Sequence, residues 1–156
     1  MDSVALGNWC LIALVFFYSL NLAPMMFETF TSDRIWASHP PASFYMFLGR
    51  YGQQTTHYWR VVSPLATGAF VVSVVATWGT NRSVWLGAAF ALYLAVQAAT
   101  MRYFVPEQEG LIVQADRLAH EVPTSRARQW MFWNYFRNAA GVLAFVCLLV
   151  GVLARP

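Results

Sequence analysis

Four apolar runs, at about residues 4–27, 58–78, 84–104 and 129–153, most constrain what this chain can fold into. Each is long enough to cross a bilayer, which takes about 20 residues of helix. Backbone polar groups cannot stay unpaired in hydrocarbon, so a spanning run is a helix or part of a closed barrel. A barrel strand alternates apolar and polar residues, and a run such as VLAFVCLLVGVLA does not alternate. The expectation is an all-α membrane protein, a four-transmembrane-helix antiparallel bundle forming one domain over residues 1–156.

Charge agrees. Charged residues are 11% of the chain, against about 25% in a soluble domain. Ten basic residues, all arginine, face seven acidic ones, so no polybasic nucleic-acid surface is expected. Cys10 and Cys147 sit inside apolar runs without a CxxC neighbour and read as small hydrophobes rather than a disulfide pair. The first run lacks a basic n-region and a small-x-small exit, so it reads as a retained span.

The connections are unequal. GTNRS joins spans two and three as a tight turn, with Gly79 as stop and Ser83 as N-cap. The long connections, Glu28–His57 and Val105–Arg128, fall together on the other face. In the first, the stretch after Ser38-His39-Pro40-Pro41, ASFYMFLGRY, reads as a short interfacial helix ending at Gly49 and Gly52. In the third connection, Pro106 opens an amphipathic helix, PEQEGLIVQADRLAHE, either interfacial or continuing span three. Pro123 should end it, and Thr124 or Ser125 should cap span four. Arginines crowd the long-connection face, and the positive-inside rule puts that face in the cytoplasm of a bacterial inner-membrane protein.

Polar residues recur at helical spacing in the half of each span nearest the long connections. Tyr18, Asn21, Met25 and Glu28 share one face of span one; His57, Arg60 and Pro64 share one of span two. Tyr93, Gln97 and Met101 form a stripe on span three, and Trp130, Asn134, Arg137 and Gly141 one on span four. Arg137 lies roughly 12 Å past Gln129 at 1.5 Å per residue. An intramembrane arginine is expected to face the bundle interior and to be paired; Glu28, Glu107 and Glu109 are the candidate partners. His39, His57 and His120 fall on the same membrane face. Carboxylates and imidazoles drawn from different helices suit a transition metal such as iron or copper, with Glu28, His57, Glu107 and Glu109 as the ligand set. The same groups suit metal-free acid–base work.

Three segments resemble the anthrone oxygenase-like family of small four-span membrane proteins. Span one leaves through APMMF and reaches HPPASFYMF. Span three ends in T-x-x-x-F-V-P, from Thr100 to Pro106, and span four opens with W-x-x-x-R in WNYFRNAAGVLAF, from Trp133 to Phe145. Where that family commonly carries an asparagine after the span-three proline, this chain has Glu107-Gln108-Glu109, a more acidic edge. The resemblance implies an oxidoreductase, and in its characterised members an oxygenase that converts anthrones to anthraquinones.

The expected function is therefore a membrane-embedded oxygenase of a hydrophobic aromatic or lipid-like molecule. Glu28 and His57 would serve as bases or metal ligands, and Arg60, Asn134 and Arg137 would hold an oxyanion or keep the carboxylates ionised. The substrate would enter from the bilayer or through the first connection, rich in Phe44, Tyr45, Phe47 and Tyr51. The rival expectation is a non-enzymatic accessory subunit, with a structural polar layer and either a second copy or a membrane complex as partner.

Overall fold

A computed structural model describes residues 3–48, 55–114 and 121–154. The helices run α1 (Ser3–Phe30), α2 (Ser32–Trp36), α3 (Thr56–Ala76), α4 (Asn81–Ala99), α5 (Val105–Val113) and α6 (Glu121–Leu153). A 3₁₀ turn occupies Ala42–Phe47, and a π-helical turn at Thr100–Phe104 joins α4 to α5. There is no strand among the described residues. Four helical stretches are long and apolar enough to span a membrane: Ala5–Trp36, Thr56–Ala76, Asn81–Val113 and Pro123–Leu153. This is an integral membrane protein. The helices pack as a ring, α1 on α3, α3 on α4, α4 on α6 and α6 back on α1.

Three boundaries differ from the sequence expectation. Span one does not leave the bundle at Glu28. Pro24 lies inside α1, and only a local break at Thr31 separates α1 from α2. A proline frees the carbonyl one turn earlier, here Leu20, and the Tyr58 hydroxyl of α3 donates to it. The inward stripe Leu11, Leu14, Tyr18, Asn21, Met25, Thr29, Ser32/Asp33, Trp36 therefore continues unbroken into α2.

Span three likewise continues through its proline. Pro106 follows the wider π turn within one continuous helix, and that widened turn accommodates a ring that carries no N–H. The extra residue in that turn re-aims the stripe: Met101 faces outward, while Thr100 and Phe104 turn inward. Of the predicted amphipathic helix, residues 115–120, including His120, lie outside the described residues. Finally, Pro123 opens α6 rather than ending the previous helix, so Thr124 and Ser125 are helical residues and not caps.

At the opposite end the α3–α4 turn is as expected at Gly79, whose φ of 81° suits glycine. The N-cap is Thr80 rather than Ser83, whose hydroxyl instead donates to the Thr80 carbonyl. Arg82 closes that end, donating to the Ala154 carbonyl (2.8 Å) and to Asn8 Oδ1 (3.0 Å).

Two apolar clusters sandwich the polar layer. The larger joins Leu11, Leu14, Tyr18, Ala66, Phe70, Leu86, Tyr93, Ala144 and Leu148 across all four spans. The second, at the long-connection end, joins Trp36, Phe44, Phe104, Leu111, Ala127, Trp130 and Met131. Here the expected interfacial helix is a short 3₁₀ helix of two turns, docked by Phe44 stacking on Trp36 at 5.2 Å. Gly49, Gly52 and Tyr51 fall outside the described residues.

Between the clusters α1 and α6 approach closely at Gly141, whose carbonyl accepts a 2.9 Å hydrogen bond from Tyr18. A Cβ there would meet Met25 Cε at 2.8 Å and Leu22 Cδ1 at 3.2 Å. Alanine displaces only flexible side-chain ends. Leucine forces the helices apart, and Gly141→Leu should destabilise the protein by about 1–3 kcal/mol, read as a lower unfolding midpoint in detergent.

Candidate functional site

The polar layer is built mainly by α1, α2 and α6. Thr29 (1% exposed), Asp33 (6%), Asn134 (0%) and Asn138 (4%) form one buried network. Asn134 Nδ2 donates to Asp33 Oδ2 at 3.0 Å and to Thr29 Oγ1 at 2.9 Å. Asn138 Nδ2 donates to Thr29 Oγ1 at 2.8 Å and to the Asn134 carbonyl at 2.8 Å. Thr29 spends its own hydrogen on the Met25 carbonyl at 3.0 Å. A carboxylate and a backbone carbonyl can only accept here, which fixes the orientation of both amides. Every amide hydrogen is thereby used. Asn134 Oδ1 and Asn138 Oδ1 have no protein partner among the described residues.

Arg137 stands one turn away on α6. Its guanidinium carbon lies 4.5 Å from the centre of the Phe104 ring, and Nη1 reaches Thr100 Oγ1 at 3.4 Å. Asp33 and Glu28 lie close enough to act on it electrostatically. Neither carboxylate comes within 4.0 Å: among the described residues the one ion pair at that distance is Arg126 with Glu107. Buried Arg137 Nε has no partner. Its guanidinium plane thus lies over an aromatic ring, one Nη1 hydrogen goes to a hydroxyl and the Nε hydrogen has no partner, rather than the group closing a salt bridge.

A groove of about 430 Å³ opens beside it between α4 and α6. Ala95, Ala99 and Ala140 make the room, Tyr103, Phe104, Trp133 and Phe136 supply aromatic walls, and Arg137 is the one charged lining residue. Trp133 and Phe136 are about half exposed on the outer surface of α6, so the groove faces the lipid.

The sequence-expected residues divide. Asn134, Arg137 and Gly141 share the inner face of α6 as expected, and half-buried Glu28 joins them with Trp59 of α3 as a hydrogen-bonding neighbour. His57, Arg60 and Pro64 do not join them; all three are exposed. Polar groups at a helix start can reach the headgroups without turning inward, and α3 instead buries Val62, Ala66, Phe70 and Ser73. Glu107 is taken by Arg126 in a two-pronged pair, 2.7 Å on each arm, and Glu109 is exposed. Glu28, His57, Glu107 and Glu109 therefore do not converge as a ligand set, and no group of three His, Cys, Asp or Glu side chains suited to a metal occurs among the described residues.

Sequence reasoning missed Thr29, Asp33 and Asn138. The 3–4 spacing from Tyr18 through Asn21 and Met25 points to Thr29 as well as to Glu28, and Asn138 follows Asn134 by one turn. Both signals were present.

The family model for anthrone oxygenase matches residues 52–147. The chain belongs to the anthrone oxygenase family. The match takes in α3, α4, α5 and most of α6, hence Trp59, Thr100, Phe104, Asn134, Arg137 and Asn138. The carboxylates Glu28 and Asp33 precede it. Comparison with curated proteins and with solved structures gives no match.

Proposed function

We propose that this protein is a membrane-embedded oxygenase that takes a hydrophobic aromatic substrate laterally from the bilayer into the α4–α6 groove. The observation that carries this reading is the groove itself. It has aromatic walls, room made by three alanines, and a single cation whose Nε has no partner. A flat aromatic ketone fits such a site by stacking on the walls and setting its oxygen against Arg137. Family membership supports the choice of an oxygenase reaction.

The chemistry needs no external reductant. A ring methylene becomes a carbonyl, one atom of O₂ enters the product and the other leaves as water. The first step is loss of a methylene proton, which moves negative charge onto the ketone oxygen. Arg137 is placed to hold that charge, and donors aimed at developing charge in a water-poor site are the largest single contribution in many enzymes. Neither Glu28 nor Asp33 lines the groove; both lie within electrostatic reach of Arg137 and offset its charge, Asn134 fixes the Asp33 carboxylate, and the methylene proton leaves to water.

The test uses the purified protein in nanodiscs with a hydroxyanthrone and ¹⁸O₂. The expected result is a quinone carrying one labelled oxygen, formed faster than in empty nanodiscs. Folded protein that shows no acceleration across several tricyclic ketones would sink the reading.

A further inference from the structure

A second groove, of about 420 Å³, lies on another side of α6, where α2 and the turn after it meet that helix. We propose that it is a binding site for the headgroup of an anionic phospholipid. This is independent of the oxygenase reading.

Arg34 and Arg128 flank the groove, Ser38 contributes its edge, and Met131, Phe132 and Tyr135 continue it along α6. Both arginines are exposed, and neither makes an ion pair or hydrogen bond to another described residue. The nearest acid in sequence, Asp33, points the other way, buried against Asn134. Two guanidiniums from different elements, without an ion partner among the described residues, thus converge on one cavity, a geometry that suits a phosphate, since guanidinium presents a planar fork to phosphate oxygens.

The groove's long axis separates a lipid from a free phosphate. Arg34 sits in the last turn of α2, at the end of the first span, and Arg128 near the start of the fourth. From Arg128 the wall descends through Phe132 to Tyr135, roughly 10 Å at helical rise. Both aromatics are about half exposed. Charge at the membrane edge and apolar wall below it match a lipid with its phosphate above and acyl chain beneath. A free phosphate has no use for the lower half. Basic pockets between helices at the membrane edge are a recurrent way of holding anionic headgroups.

The full chain, in nanodiscs of phosphatidylcholine with a minor share of phosphatidylglycerol, should keep bound phosphatidylglycerol on transfer to detergent, seen by native mass spectrometry. Arg34→Gln and Arg128→Gln should each weaken its apparent affinity about fivefold. The double variant should lose the preference over phosphatidylcholine, and Arg34→Lys should keep most of it. Arg102→Gln, exposed but outside the groove, should change nothing. A folded double variant that retains the preference would overturn the proposal. So would an unmodified protein that shows none, a result needing no variant. Displacement of the lipid by millimolar inorganic phosphate alone would overturn it too, in favour of a free-anion site.

Discussion

Replacing Arg137 with glutamine is expected to lower kcat for the oxygenation about a hundredfold to a thousandfold, the usual effect of deleting one donor to a developing oxyanion. KM should move much less, because the aromatic walls of Tyr103, Phe104, Trp133 and Phe136 remain to hold the ring system. Arg137→Lys keeps a cation but loses the fork and the fit over Phe104, so it should recover part of kcat. The bundle should survive both changes. Glutamine forfeits a desolvated cation–π contact worth roughly 2 kcal/mol, but it also removes the cost of holding a charge at membrane depth, and no direct ion pair is broken. Single-turnover rates measured beside unfolding midpoints separate the two roles. A variant that keeps the wild-type kcat would show that Arg137 holds no charge in the rate-limiting step.

Much of this architecture is legible in the sequence because the bilayer leaves so few options. Four apolar runs give four helices, and the Trp130–Asn134–Arg137–Gly141 stripe sits on the inner face of α6. The site was less legible, for a physical reason that Pro24 and Pro106 illustrate. In a soluble protein a proline inside a helical pattern marks an end, so the sequence places the start of the first connection at Glu28, which leaves Asp33 outside the span. Here the Tyr58 hydroxyl satisfies the carbonyl freed by Pro24, and a π turn precedes Pro106. Both helices continue, and Thr29 and Asp33 are carried inside. His57 and Arg60 failed in the opposite sense. Their spacing was helical, but periodicity says which residues share a face and not which face is buried, and α3 turns theirs outward. Glu107 is drawn off by Arg126, which the sequence places in the third connection near the start of span four without pairing the two.

Thr29→Val should have the largest effect on stability of any near-isosteric change in the protein. The Thr29 hydroxyl is the shared acceptor of Asn134 Nδ2 and Asn138 Nδ2 while donating to Met25. Valine matches its shape and offers no acceptor. Asn134 keeps its bond to Asp33, and Asn138 its bond to the Asn134 carbonyl, so each amide loses one of two partners and no charge is stranded. A membrane hydrogen bond averages about 0.6 kcal/mol, whereas a donor left buried without a partner costs about 1–3 kcal/mol. The two amides together should therefore cost about 1–6 kcal/mol, read as a shifted unfolding midpoint, and Thr29→Ser should restore most of it. Asn138→Leu removes one of the same bonds from the other side. In a double-mutant cycle the pair should cost less than the sum of the single changes, since a shared bond is lost only once. Strict additivity would mean that the two side chains do not share that bond. The kinetics should follow in smaller measure: Asp33 keeps its bond from Asn134 when Thr29 becomes valine, so kcat should fall far less than in Arg137→Gln.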